Sequence, residues 1–142
     1  QGVQNLHSNG LRVIMDVVYN HVASASSFSF ERIVPGYFFR TDETGTLLNG
    51  TGCGNEVASE RPMVRKFIVD SMKYWTREYK LDGFRIDQMG LWDVTTLNQV
   101  RAGVSSFGAG GVNAHVLVQE YMDADDLPVQ KPVDDAGAAP GA

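Results

Sequence analysis

Arg85 and Asp87 stand two positions apart in Leu81-Asp82-Gly83-Phe84-Arg85-Ile86-Asp87-Gln88-Met89-Gly90, a short apolar run that closes on glycine. The period of two in a strand sends both side chains to one face at the strand's exit. A carboxylate fixed there beside a cation suits the C-terminal rim of a parallel β-barrel, where catalytic groups collect. A second carboxylate, Glu120, closes the run His115-Val116-Leu117-Val118-Gln119, 33 positions after Asp87. That is the spacing of adjacent βα units, so both acids are expected to face one cleft. Such a pair suits glycoside hydrolysis, in which one ionised carboxylate attacks and the other, in a drier setting, supplies a proton. Arg85 is the cation expected to keep Asp87 ionised and oriented. The plainer reading makes Arg85 and Asp87 a structural ion pair, and spacing alone does not choose between the two.

Asp16 interrupts the apolar run Leu11-Arg12-Val13-Ile14-Met15-Asp16-Val17-Val18-Tyr19. A carboxylate in such a strand is costly unless it is paired or exposed, so Asp16 is expected to have a cation or donors nearby. Asn20 and His21 close that strand with polar groups. One His beside one Asn is a poor metal site by count, and a hydrogen-bonding role at a strand end is the blander reading of His21. No Ser-His-Asp order, phosphate loop or HExxH pattern is present.

The elements that must position these residues can be read in order. Val3, Leu6 and His7 have helical spacing, and Asn9-Gly10 supplies a C-cap. Leu11 to Tyr19 reads as a parallel strand covered on both faces. Residues 22–59 show no sustained period and read as one long loop. Its aromatics Phe28, Phe30, Tyr37, Phe38 and Phe39 either offer flat faces to sugar rings or simply pin the loop. Asn49-Gly50-Thr51 matches a glycosylation acceptor, a triplet frequent by chance. Pro62 to Lys80 is expected to be a helix with Val64, Phe67, Ile68, Met72, Trp75 and Tyr79 on its core face. Asp93 is placed to cap a second helix carrying Val94, Leu97, Val100 and Val104. Three strands alternating with two helices is the repeat of an α/β barrel, although eight such units need about 250 residues.

The chain has 142 residues, 43% of them hydrophobic, and a net charge of -5. This balance predicts a globular unit with no basic stripe for nucleic acid, and no apolar run approaches the roughly 18 residues of a membrane span. Neither nucleic acid nor membrane is expected as a partner. The single cysteine, Cys53, forms no intrachain disulfide. The chain opens without Met inside helical spacing, which suggests a piece of a larger protein and leaves localisation, secreted or cytoplasmic, unassigned. Residues 1–130 are expected to form one unit, and residues 131–142 a Pro/Gly/Ala-rich tail.

Asp16-Val17-Val18-Tyr19-Asn20-His21 and Gly83-Phe84-Arg85-Ile86-Asp87 resemble the first and second signature regions of the alpha-amylase superfamily of glycoside hydrolases. Ile33-Val34-Pro35-Gly36-Tyr37-Phe38-Phe39-Arg40, Asn49-Gly50-Thr51-Gly52-Cys53-Gly54-Asn55-Glu56 and Gln88-Met89-Gly90 narrow the resemblance to type I pullulanases, the starch-debranching members. The resemblance implies part of a (β/α)8 TIM-type barrel, roughly strands 3 to 5. It implies Asp87 as nucleophile, Arg85 as the arginine that positions it, Asp16 as a structural aspartate, and His21 and Tyr19 as substrate-binding. Glu120 matches the acid/base glutamate, with Gln119 where glycine is usual before it and Met122 where tryptophan is usual after it. Gln88 replaces the leucine usual after the nucleophile. No cofactor is implied as a requirement. Calcium is an option through Asn20, which matches a calcium-binding position in some alpha-amylases. The implied partner is an alpha-glucan, and the implied reaction is retaining hydrolysis of alpha-1,6 branch bonds. The third carboxylate of the family falls outside this sequence, so the 142 residues alone are expected to be inactive. Isoamylase, amylopullulanase and a non-catalytic glucan-binding relative are the alternatives.

Overall fold

The computed structural model of the chain describes residues 1–105 and 115–117. Glu120 and the 131–142 tail lie outside the described residues. Three parallel strands form the sheet that carries the signature residues: β1 (Ile14–Val17), β4 (Gly83–Ile86) and β5 (His115–Leu117), in the order β1-β4-β5. Helix α3 (Pro62–Tyr79) precedes β4, and α4 (Val94–Ser105) separates β4 from β5. This is the α/β alternation expected from the sequence.

Helix α3 begins with Pro62 at its first position, where the missing N–H costs nothing, and stops where Lys80 turns left-handed. Its buried residues are Val64, Ile68, Val69, Met72 and Thr76. Phe67 and Trp75 pack against that core as expected, partly buried, whereas Tyr79 does not join the stripe. Tyr79 is exposed and Trp75 half-buried, and with Tyr74 they form a ring cluster at the end of the helix. Thr76 is buried as well, its hydroxyl donating to the Met72 carbonyl at 3.0 Å. Asp93 caps α4 as expected: its Oδ2 accepts the Thr96 N–H at 2.9 Å and Arg65 Nη2 at 2.9 Å.

Val17, Phe84 and Ile86 face the helices and sit in one core with Val64, Ile68, Met72, Trp92 and Val100. The other face differs from expectation. β1 is shorter than the apolar run Leu11–Tyr19, and among the described residues only one of its faces is covered. Leu11, Ile14 and Val18 are 54%, 47% and 52% exposed.

Residues 22–59 are more ordered than the absence of a period suggested. Helix α1 (Gly2–Ser8) precedes β1, and α2 (Ser29–Ile33) lies within this region. β2 (His21–Val22) pairs antiparallel with β3 (Asn55–Glu56), and bridges join Phe39 to Val57 and Thr41 to Leu47. Strands of two residues are too short to show an alternation, so their order was invisible to pattern reading. Phe38 and Phe39 are buried, and Phe28, Phe30 and Phe67 ring them at centroid distances of 4.7 to 6.0 Å. These aromatics pin the segment to α3. No helix among the described residues is long and apolar enough to cross a membrane.

Candidate functional site

The parallel register sets Asp16 opposite Arg85 and Val17 opposite Ile86. Neighbouring strands lie about 4.8 Å apart, whereas residues two apart on one strand are separated by about 6.6 Å. The guanidinium therefore reaches across the sheet first. Arg85 Nη1 donates to Asp16 Oδ2 at 2.6 Å, and Arg85 Nη2 lies 3.6 Å from Asp87 Oδ1. Asp16 has the cation that its place in an apolar strand demanded. Asp87 is held by charge and not by a close hydrogen bond, so its carboxylate is not consumed by a tight pair. Asp16 and Arg85 are about half exposed, and at that exposure the contacts add at most about 1 kcal/mol of stability. What they supply is orientation of three charged groups on the open face of the sheet.

The end of β4 is tied back to β1. The Asp87 N–H donates to the Val17 carbonyl at 3.1 Å. Asn20, only 2% exposed, donates through Nδ2 to Gln88 Oε1 at 3.2 Å, and its Oδ1 lies 3.0 Å from His21 Nδ1. The Val57 N–H donates to the Asn20 carbonyl at 2.9 Å. His21 is half-buried, at the start of β2 and opposite Glu56.

Tyr19, expected to touch substrate, is placed against the helices and not among these charges. Its hydroxyl is 2.6 Å from Ser71 Oγ on α3, and its ring packs edge-on to Phe67 and Trp92. The reason is strand alternation: Tyr19 follows Val17 by two positions and shares its helix-facing side. Glu120 follows Leu117, which pairs with Arg85, and lies outside the described residues.

A hub that sequence reading missed supports the turn after Asp87. Arg40 Nη1 donates to the Leu91 carbonyl at 2.9 Å and to Glu56 Oε2 at 3.3 Å, while Nη2 donates to Glu60 Oε2 at 2.8 Å. Glu56 is buried, and its Oε1 accepts the Gly50 N–H. The segment 38–60 is thereby fastened to the turn Met89–Leu91 that follows the candidate nucleophile. Arg40 and Glu56 were both visible in the sequence as parts of motifs, but nothing local signalled that they meet.

A calcium ion takes six to eight oxygen ligands. The side-chain oxygen of Asn20 is turned to His21, and no group of three or more His, Cys, Asp or Glu side chains among the described residues is arranged to hold a metal.

No family model matches the chain. Among curated proteins it is 50% identical over 131 residues to the pullulanase of Bacillus subtilis, covering 87% of this chain and 18% of that protein. It is also 36% identical over 106 residues to the chloroplastic isoamylase 1 of Arabidopsis thaliana, covering 67% of this chain and 14% of that protein. The crystal structure of the type I pullulanase of Bacillus subtilis complexed with maltose superposes with a TM-score of 0.78 at 45% identity, over 89% of this chain and 17% of that one. Over most of its length the chain is a pullulanase-like segment in sequence and in fold. It spans less than a fifth of the length of these relatives. The pullulanase-like segment thus includes β1 and β4, with Asp16, Arg85 and Asp87 brought together on one open face.

Proposed function

We propose that the protein carrying this chain is a retaining glycoside hydrolase that cleaves alpha-1,6-glucosidic branch bonds of pullulan, amylopectin or limit dextrins. The observation that carries the reading is Arg85 set between Asp16 and Asp87 at the ends of adjacent parallel strands. The pullulanase and isoamylase likenesses support it, as does the maltose bound by the Bacillus subtilis structure, a short glucan of the class proposed as partner.

In this reading β1, β4 and β5 are strands 3 to 5 of a (β/α)8 barrel, residues 1–130 are part of its catalytic domain, and the open face of the sheet is turned to the barrel interior. Asp87 attacks the anomeric carbon as the bond to the departing sugar oxygen breaks, and Glu120 gives its proton to that oxygen. A water then attacks the glucosyl-Asp87 ester while Glu120 takes the proton back, so the configuration is retained. Arg85 holds Asp87 from the side, Asp16 holds Arg85, and His21 contacts the sugar bound at the cleavage point. Tyr19, committed to Ser71, supports the strand from behind. No cofactor is needed for any step, and alpha-glucan is the partner throughout.

The test is product analysis on pullulan with the full-length protein. Maltotriose supports alpha-1,6 cleavage, while panose or isopanose indicates alpha-1,4 cleavage and overturns the linkage assignment. Binding to starch without release of reducing ends, unchanged in Asp87→Asn, identifies a non-catalytic glucan-binding protein instead.

A further inference from the structure

Gln88 follows the candidate nucleophile directly, and its backbone lies at φ 43°, ψ 50°. Side-chain-bearing residues seldom adopt this left-handed conformation. The turn brings the Gln88 amide back across the sheet to Asn20, whose Nδ2 donates to Gln88 Oε1 at 3.2 Å. Asn20 is almost fully buried, so each end of its amide must find a partner inside the protein. Its nitrogen is used by Gln88. Its oxygen, which only accepts, faces His21 Nδ1 at 3.0 Å. A hydrogen bond there requires the proton on Nδ1, and the neutral ring is then left with Nε2 as an acceptor.

We propose that Gln88 is a positioning residue that acts through Asn20 to fix the ring orientation and the tautomer of His21, so that Nε2 is offered as an acceptor to a hydroxyl of the bound glucan. The part concerning glucan rests on the function proposed above, whereas the relay itself does not. Leucine, usual at this position in the family that the sequence resembles, has no group to receive the Asn20 amide. The relay therefore belongs to this chain's own sequence. It links the residue after the nucleophile to the residue that meets the sugar, over three side chains on two adjoining segments.

The experiment uses the full-length protein labelled with 15N in histidine, with the His21 signals identified by their loss in His21→Gln. In the unsubstituted protein the ring nitrogens should show a protonated Nδ1 and an unprotonated Nε2 at a pH where the ring is neutral. Gln88→Leu should abolish that pattern and lower kcat/KM on pullulan by about tenfold, the worth of one buried hydrogen bond. Gln88→Glu keeps an acceptor of the same reach and should retain the protonated Nδ1. A His21 spectrum unchanged in Gln88→Leu overturns the relay. If Gln88→Leu fails to fold, Gln88→Glu decides: a folded Gln88→Glu protein without the Nδ1 proton also overturns it. Absence of pullulan hydrolysis in the unsubstituted protein would remove the proposed function while leaving the spectral test of the relay intact.

Discussion

Arg85 has two acidic neighbours at unequal distances, and that inequality shapes what each residue does. The cross-strand contact to Asp16 is a short hydrogen bond, and the along-strand approach to Asp87 is longer by 1.0 Å. A planar guanidinium can serve both carboxylates from one position, while a lysine ammonium is a point charge that must favour one of them. Arg85→Lys in the full-length protein should therefore lower kcat/KM on pullulan by about a hundredfold, the scale of a roughly 1 Å misplacement of the proposed nucleophile. Circular dichroism should remain unchanged, since the contacts are half exposed. The sequence showed that Asp16 needed a cation and that Arg85 and Asp87 share a face. It did not show that Asp16 would be the closer partner, because that depends on the β1–β4 register, which no local pattern records.

At the scale of elements, two acids tie segments together and leave testable signs. Asp82 accepts the Val13 N–H at 2.7 Å and lies 2.8 Å from His7 Nε2, joining α1 to the starts of β1 and β4. Burial pushes its carboxyl up, but the Val13 N–H, His7 and Arg12 outweigh this and hold it below the usual carboxylate range. A carboxylate depressed in the folded state contributes stability that is complete above its unfolded value, near 4, and is lost as pH falls through the folded value. Asp82→Asn should accordingly lower stability at pH 7 and flatten its decline between about pH 5 and pH 2. Urea denaturation across that range measures both effects. Asp93→Ala removes the cap of α4 and the partner of Arg65, and should cost about 1 to 2 kcal/mol in the same assay. Helices α3 and α4 and the helix-facing residues of β1 and β4 were legible from their apolar spacing. The 38–60 segment was not, because Arg40, Glu56 and Glu60 order it through side-chain contacts that leave no periodicity.

Among the described residues β1 and β4 have one face covered by helices and one face open, and Asp16 and Arg85 lie on the open one. Ile14 and Val18 flank Asp16 there and are about half exposed. Exposed apolar strand surface beside unpaired strand edges favours association over solubility. The 142 residues expressed alone should self-associate, with dye-detectable apolar surface, and should release no reducing ends from pullulan. The fold family was legible because Asp16–His21 and Gly83–Asp87 are long, local motifs. The placement of Tyr19 against α3 was not, because a motif gives the residue and leaves the side of the strand to the packing.

The central claim is that Asp87 forms the covalent bond to the sugar. It is tested by mass spectrometric peptide mapping of the full-length protein carrying Glu120→Gln, quenched after brief exposure to an activated alpha-glucosyl fluoride. The fluoride leaving group needs no acid, and loss of the proposed acid/base glutamate should slow hydrolysis of the intermediate. The account predicts one glucosyl adduct on the peptide containing Asp87, absent when Asp87→Asn is added. An adduct on a different carboxylate, or an Asp87→Asn protein that still turns over pullulan, would contradict it.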